Sequence, residues 1–203
     1  MRDETRAQRQ LQIEEAAYAL LGEKGYGATS MLSVARVARA SNETLYRWYG
    51  DKRGLFKSMV ETNARDIRAA LRDAIDSGAD PLASLEKVAP VLLTMLLGEK
   101  AVLLNRAAAA DETGELGAAL AEGGRNAVAQ LIEALLRQSM KSGAIRAPSA
   151  ATAAEWFLGL LIGDLQIRRV IGVLPEPGAD FVADRVAGAL AAFRVLCANA
   201  SQG

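Results

Sequence analysis

The stretch SNETLYRWYGDKRGLF, residues 41–56, sets Asn42, Glu43, Tyr46 and Arg47 close together and puts three large rings, Tyr46, Trp48 and Tyr49, into four positions. The whole chain has 4 Phe, 2 Trp and 4 Tyr, so this local density stands out from its composition. On a helix, residues four apart share a face, which pairs Asn42 with Tyr46 and Glu43 with Arg47. Leu45, with Trp48 or Tyr49, falls on the opposite, inward side. The outward row offers amide, carboxylate, phenol and guanidinium tips. Such tips hydrogen-bond base edges in a major groove and the phosphates beside it. A helix this short cannot bury three adjacent rings, so the row is not explained as core alone.

Other chemistries are poorly supplied. The 203 residues contain no histidine, which removes the commonest general base and metal ligand. One cysteine, Cys197, allows no internal disulfide and reads as a small buried helix residue. No metal site, cofactor or catalytic residue is implied. Gly25-Tyr26-Gly27 is not a dinucleotide fingerprint, because a third glycine is missing and a helix, not a strand, precedes it. A helical enzyme would have to rely on a carboxylate pair such as Asp111-Glu112, which reads more simply as a solvated loop.

The elements that must position this row are helical. Hydrophobic residues make up 51% of the chain and charged residues 24%, and period-two alternation is missing, so an all-α fold is expected. Lysine and arginine balance aspartate and glutamate at 24 each, yet residues 1–60 hold 10 against 7, a modestly basic head at +3. The start of the chain lacks an apolar signal core. VAPVLLTMLLG and WFLGLLIG fall short of the roughly 20 residues a spanning helix needs, so a cytoplasmic protein with no membrane partner is expected.

About nine helices are read from apolar spacing and breakers. The first runs from Arg6 to Lys24 and is stopped by Gly25. Ser30 caps a second over Met31 to about Arg39. Ser41 or Asn42 caps a third, ending at Tyr49. Asp51 opens a long fourth helix, Lys52 to about Ser77, since no breaker appears before Gly78. The rest cover about 82–97 with a kink at Pro90, 99–110, 115–142 loosened at Gly123-Gly124, 149–171 and 181–198. The segment from Ser30 to Tyr49 has the size of a helix-turn-helix.

Together, TSMLSVARVARASNETLYRWYGDKRGLF resembles the DNA-binding signature of the TetR family of bacterial transcription regulators. The matching positions are Thr29, Ser30, Val34, Ala35, Ala38, Ser41, Thr44, Leu45, Tyr46, Tyr49, Lys52, Leu55 and Phe56. Two positions depart from the family pattern. Arg39 stands where the turn often has glycine, which suggests left-handed strain. Glu43 stands where glycine often precedes the threonine.

The resemblance implies an N-terminal head with the helix-turn-helix, residues 1–51, and a helical effector-binding and dimerisation domain, residues 52–203. It implies that Thr44, Tyr46 and Lys52 hold phosphates, and that Asn42, Glu43, Arg47 and Trp48 meet bases. Ser30 and Arg36 approach the DNA backbone from the second helix. It further implies a homodimer joined through the last two helices. Gly159, Gly163, Ala183, Ala187, Leu190 and Ala191 are the candidate interface residues, the two glycines read as lying on one helix. An effector pocket is expected among the middle helices, near Met95, Leu104, Asn105, Gln130, Trp156, Phe157 and Leu161. The implied function is that of a repressor, bound as a dimer to a palindromic double-stranded operator and released by a small, largely apolar effector. The rival within the DNA-binding class is an architectural protein without an effector.

Overall fold

The computed structural model describes residues 2–199. All regular structure among them is helical: α1 (Arg2–Ala28), α2 (Met31–Val37), α3 (Asn42–Tyr49), α4 (Lys52–Asn63), α5 (Arg65–Asp76), α6 (Pro81–Leu97), α7 (Glu99–Ala109), α8 (Glu115–Leu120), a π-helical turn (Ala121–Asn126), α9 (Ala127–Lys141), α10 (Ala150–Ile162), α11 (Leu165–Val170) and α12 (Ala179–Asn199). The all-α expectation therefore holds. Among the described residues, no single helix is long and apolar enough to cross a membrane.

Three of the expected helices are divided. The long fourth one ends at Asn63 and restarts at Arg65, with Ala64 at φ −91°, ψ 0°. Alanine is the best helix former, so the break has no local cause. It falls where the chain leaves one compact unit for another, since the first unit runs through Thr62 and the second begins at Asn63. The segment after Glu115 loosens at its glycine pair, as anticipated, into a π turn. Gly123 is buried there, and a Cβ on it would lie 3.3 Å from Val60 Cγ1. The helix expected over 149–171 ends at Ile162. Gly163 takes φ 49°, a left-handed value that ends α10. Arg185 from α12 donates from Nε to the Leu161 carbonyl (2.9 Å), satisfying one of the carbonyls that the break leaves free. The expected stop at Gly25 is present as a non-helical residue, φ 75°, within α1. α6 runs through Pro90 as one helix.

The chain forms two compact units. The first takes in residues through Thr62 together with Leu103–Gly123. Its core gathers Ile13 and Leu20 of α1, Val34 of α2, Leu45 of α3, Phe56 and Met59 of α4, Leu104 of α7 and Leu116 of α8. Tyr26 meets Phe56 edge to face at 5.9 Å. The second unit comprises Asn63–Val102 and the chain from Gly124 onward. α5, α6, α9, α10 and α12 close around Leu71, Leu92, Ile132, Leu135, Phe157 and Phe193. Phe157 and Phe193 meet edge to face at 5.8 Å. At the C-terminal end of α6, Arg169 Nε donates to the Leu97 carbonyl (2.7 Å) and Gln166 to the Leu96 carbonyl (3.2 Å). These donors satisfy carbonyls that have no partner within the helix.

A buried carboxylate ties α1 to α4. Glu14 is 2% exposed. Its Oε1 accepts from Ser58 Oγ (2.8 Å), Thr62 Oγ1 (3.2 Å) and Gln10 Nε2 (3.2 Å). Burying a carboxylate is tolerable only with such donors. Glu14→Ala should remove the shared acceptor and cost about 1–3 kcal/mol. Calorimetry should record this as a fall in Tm of roughly 2–4 °C for each kcal/mol lost.

Candidate nucleic-acid interface

α2 and α3 are set by their caps. Ser30 Oγ accepts from the Ser33 amide (3.1 Å), and the Ser33 hydroxyl accepts from the Ser30 amide (3.0 Å), a reciprocal capping box. α2 ends in a Schellman motif: the Ala40 amide donates to the Ala35 carbonyl (2.9 Å) and the Arg39 amide to the Arg36 carbonyl (3.2 Å). That closure requires a left-handed residue at Arg39, whose φ is 51°. The strain expected at this departure from glycine is therefore present, at a cost of about 1–2 kcal/mol. Ser41 caps α3, accepting from the Thr44 amide (3.1 Å), with the two hydroxyls 2.8 Å apart.

Leu45 is the fully buried residue of α3. With Leu45 turned inward, Asn42, Glu43, Tyr46 and Arg47 all lie exposed, Tyr46 by 50%. Three of the four expected base readers, Asn42, Glu43 and Arg47, are therefore exposed together with Tyr46, the expected phosphate contact. Trp48 does not join them. It is half-buried against the first unit's core, edge-on to Tyr49 at 6.5 Å, with the Arg6 guanidinium 5.4 Å from its ring centroid.

The cations of the head divide into two groups. Lys52 is committed inward. Its Nζ donates to the Tyr26 carbonyl (2.9 Å) and the Thr29 carbonyl (3.0 Å), and lies 4.0 Å from the Tyr26 ring centroid. An ammonium has three donors, so one remains for a phosphate. Partial burial lowers the Lys52 pKa. Burial, then the Asp111 carboxylate, push the Tyr26 phenol up to about 12, so the ring under Lys52 stays neutral. Arg53 pairs with Glu115, and Lys57 lies 4.0 Å from Glu122. Arg9 donates to Gln12 (2.8 Å) and to the Arg39 carbonyl. By contrast, the guanidiniums of Arg36, Arg39 and Arg47 are exposed and have no partner among the described residues.

Two features of this site escaped sequence reading. Tyr49, on the inner side of α3, has a buried hydroxyl with no hydrogen-bond partner among the described residues, and burial raises its pKa. Gly54, the third residue of α4, lies so close to the end of α3 that a Cβ would stand 1.8 Å from the Tyr49 carbonyl oxygen. Its amide donates to the Asp51 carboxylate at 2.8 Å, which caps α4. A glycine inside a helical pattern at this spot was the available signal.

In the second unit, residues expected at an interface or pocket are distributed differently. Gly159, Ala183, Ala187 and Ala191 are exposed on α10 and α12. Leu190 is packed in the unit's own core, because its turn of α12 faces inward with Val186, Ala189 and Phe193. Gly163 lies outside the helix, and a Cβ there would stand 3.0 Å from the Arg185 guanidinium. Phe157 and Leu161 are fully buried in the same core, with Trp156 packed against it. Leu104 belongs to the first unit's core, Asn105 follows it on α7, and Gln130 is exposed. Met95 does line a cleft, with Asn63, Asp66, Ile67, Pro90, Val91 and Thr94. The cleft has a volume of about 410 Å³ and opens to solvent.

Gly54→Ala should push the start of α4 away from α3 and destabilise the head by about 1–3 kcal/mol, the usual cost of overpacking. Thermal unfolding of the variant against the parent chain measures it; an unchanged Tm would mean the α3–α4 junction is less tight than the geometry demands.

Family models match both parts of the chain. One, described as bacterial regulatory proteins of the tetR family, covers residues 13–59. Another, described as the AefR-like transcriptional repressor C-terminal domain, covers residues 83–196. No curated protein matches the chain. Among solved structures, a TetR transcriptional regulator from Agrobacterium tumefaciens is 30% identical, with 93% of each chain covered and a TM-score of 0.73. A TetR-family regulator from Mesorhizobium loti is 24% identical over 94% of this chain and 96% of that one, with a TM-score of 0.77. The flavonoid-responsive regulator FrrA is 23% identical over 94% and 97%, with a TM-score of 0.69. The matched models, the 30% identity over nearly the whole length and the exposed helix-turn-helix together place the chain in the TetR family of bacterial transcription regulators.

Proposed function

We propose that this chain is a cytoplasmic, ligand-responsive repressor that binds a palindromic operator as a homodimer. The observation that carries this reading is the exposed row of Asn42, Glu43, Tyr46 and Arg47, held on a helix fixed by Leu45. Arg47 has no partner among the described residues, so its planar fork is free for the O6 and N7 of guanine. Tyr46, Thr44 and the third Lys52 donor hold phosphates beside the groove, and Ser30 and Arg36 approach the backbone from α2. Phosphate contacts fix register, and base contacts choose sequence. Two copies read half-sites one helical turn apart, roughly 34–36 Å.

The dimer forms through α10 and α12. Support comes from the small exposed residues Gly159, Ala183, Ala187 and Ala191, with Phe181, Val195 and Leu196 also exposed on α12. Small side chains let helices of two copies approach closely, and the larger apolar groups gain by leaving water.

The effector enters the cleft at Met95, which lies within the usual ~300–1,000 Å³ of ligand sites. Its walls are Ile67, Pro90, Val91 and Met95, and its polar groups are Asn63, Asp66 and Thr94. The apolar walls favour a largely apolar effector, and the Asp66 carboxylate opposes an anionic group there. A flavonoid-responsive neighbour of the same fold is consistent with that class. The effector must bind the DNA-released state more tightly than the DNA-bound one; otherwise it shifts nothing.

Duplexes selected by the parent protein from a random pool test the central claim. Arg47→Ala should lose about 1–3 kcal/mol of discrimination at one base position. Loss spread evenly over all sequences would remove Arg47 from base reading. Ala187→Arg should convert dimer to monomer in sedimentation, and a variant that stays dimeric places the interface elsewhere.

A further inference from the structure

We propose that Arg39, in the turn between α2 and α3, is a phosphate-contacting residue for duplex DNA, retained at the expense of stability where glycine would fold better. This rests on the DNA-binding reading given above.

The argument begins with the backbone. The Ala40-to-Ala35 and Arg39-to-Arg36 hydrogen bonds close α2 in a motif whose third element is a left-handed residue. Arg39 is that residue, and at φ 51° it is the only positive-φ position among the described residues that is not glycine. Arginine has neither the missing Cβ of glycine nor the short polar side chain that lets asparagine tolerate this region.

Among the described residues, none engages the Arg39 side chain. The carbonyl of Arg39 accepts from the Arg9 guanidinium, and its amide closes the helix, but glycine would supply both groups. The side chain is exposed, and its guanidinium has no hydrogen bond or ion pair among the described residues. Other cations of the head do have partners: Lys52 on carbonyls, Arg53 and Lys57 on carboxylates, Arg9 on Gln12 and the turn, and Arg6 over the Trp48 ring. A strained backbone kept for an unengaged cation points to an engagement outside the chain.

Position decides what that engagement is. Arg39 lies three residues after Arg36 and two before Ser41, the N-cap of α3. In a helix-turn-helix the second helix enters the groove by its N-terminal end while the first crosses the phosphate backbone. A long cation in the turn is therefore at the groove's edge, not over base edges. Guanidinium and phosphate are matched in geometry and charge.

Three variants of the full-length protein test this: Arg39→Gly, Arg39→Ala and Arg39→Lys. Binding is titrated at several salt concentrations on two probes, an operator duplex selected by the parent protein and an unrelated duplex of equal length. Arg39→Gly should raise Tm by roughly 2–4 °C. It should also weaken both duplexes several-fold, with a salt slope shallower by about 0.9. Arg39→Ala should show the same shallower slope without the gain in Tm, because its Cβ keeps the strain. Arg39→Lys should keep the parent slope. The proposal is overturned if Arg39→Gly binds with the parent slope and affinity. It is also overturned if only the operator is weakened, which would make Arg39 a base reader, or if Arg39→Gly lowers Tm, which would mean the side chain serves packing. If the parent protein selects no duplex at all, the DNA-binding reading falls, and this proposal with it.

Discussion

An eight-residue helix is not stable alone in water, because nucleation costs more than so few hydrogen bonds return. α3 is eight residues long, and it exists as a helix because Leu45 is buried beneath it. That single constraint orients the head's chemistry. With Leu45 inward, the helical period leaves Asn42, Glu43, Tyr46 and Arg47 no direction but outward. The neighbouring elements then act to keep that one side chain seated. The Ser41 cap fixes where α3 begins, the Schellman closure fixes the turn before it, and Gly54 lets α4 start against its end.

Polar groups in the head follow from the same economy of burial. Part-buried carbonyls of Tyr26 and Thr29, near the α1–α2 connection, accept two protons from Lys52. Buried Glu14 needs donors, and the hydroxyls of Ser58 and Thr62 supply them. Cations used in this way are no longer fully available to a partner. Among the described residues of the head, Arg36, Arg39 and Arg47 have no such partner and lie along one helix-turn-helix, with Lys24 the further exposed cation, on α1. The modest +3 of residues 1–60 therefore understates how much free cationic character that segment presents.

The second unit uses helix ends differently. Where α6 stops, carbonyls of Leu96 and Leu97 are met by Gln166 and Arg169, and where α10 stops, Leu161 is met by Arg185. The arginines there serve the backbone, while the small residues Gly159, Ala183, Ala187 and Ala191 of α10 and α12 are exposed. Ile67 of the cleft at Met95 belongs to the same core as Phe157 and Phe193, whose rings are fully buried.

The sequence by itself determined what depends on neighbours in the chain. Helical periodicity gave the all-α class, serine caps gave the starts of α2, α3 and α10, and Gly25 gave the stop in α1. Arg39 in a turn position already indicated left-handed strain. The outward row on α3 was legible for the same reason, since a fixed period of 3.6 residues assigns its two faces once Leu45 is taken as core. Tertiary structure decided what depends on distant residues. Nothing local breaks the chain at Ala64, the best helix former there is. Nothing in the run from Ser149 to Ile171 says that Gly163 ends a helix and does not pack within one; Arg185, 22 positions along the numbering, completes that end. Apolar spacing also could not separate core from cleft, because Phe157, Leu161 and Met95 obey the same helical period. Which of them meets packed neighbours and which meets open space is set by the helices that arrive from elsewhere in the chain.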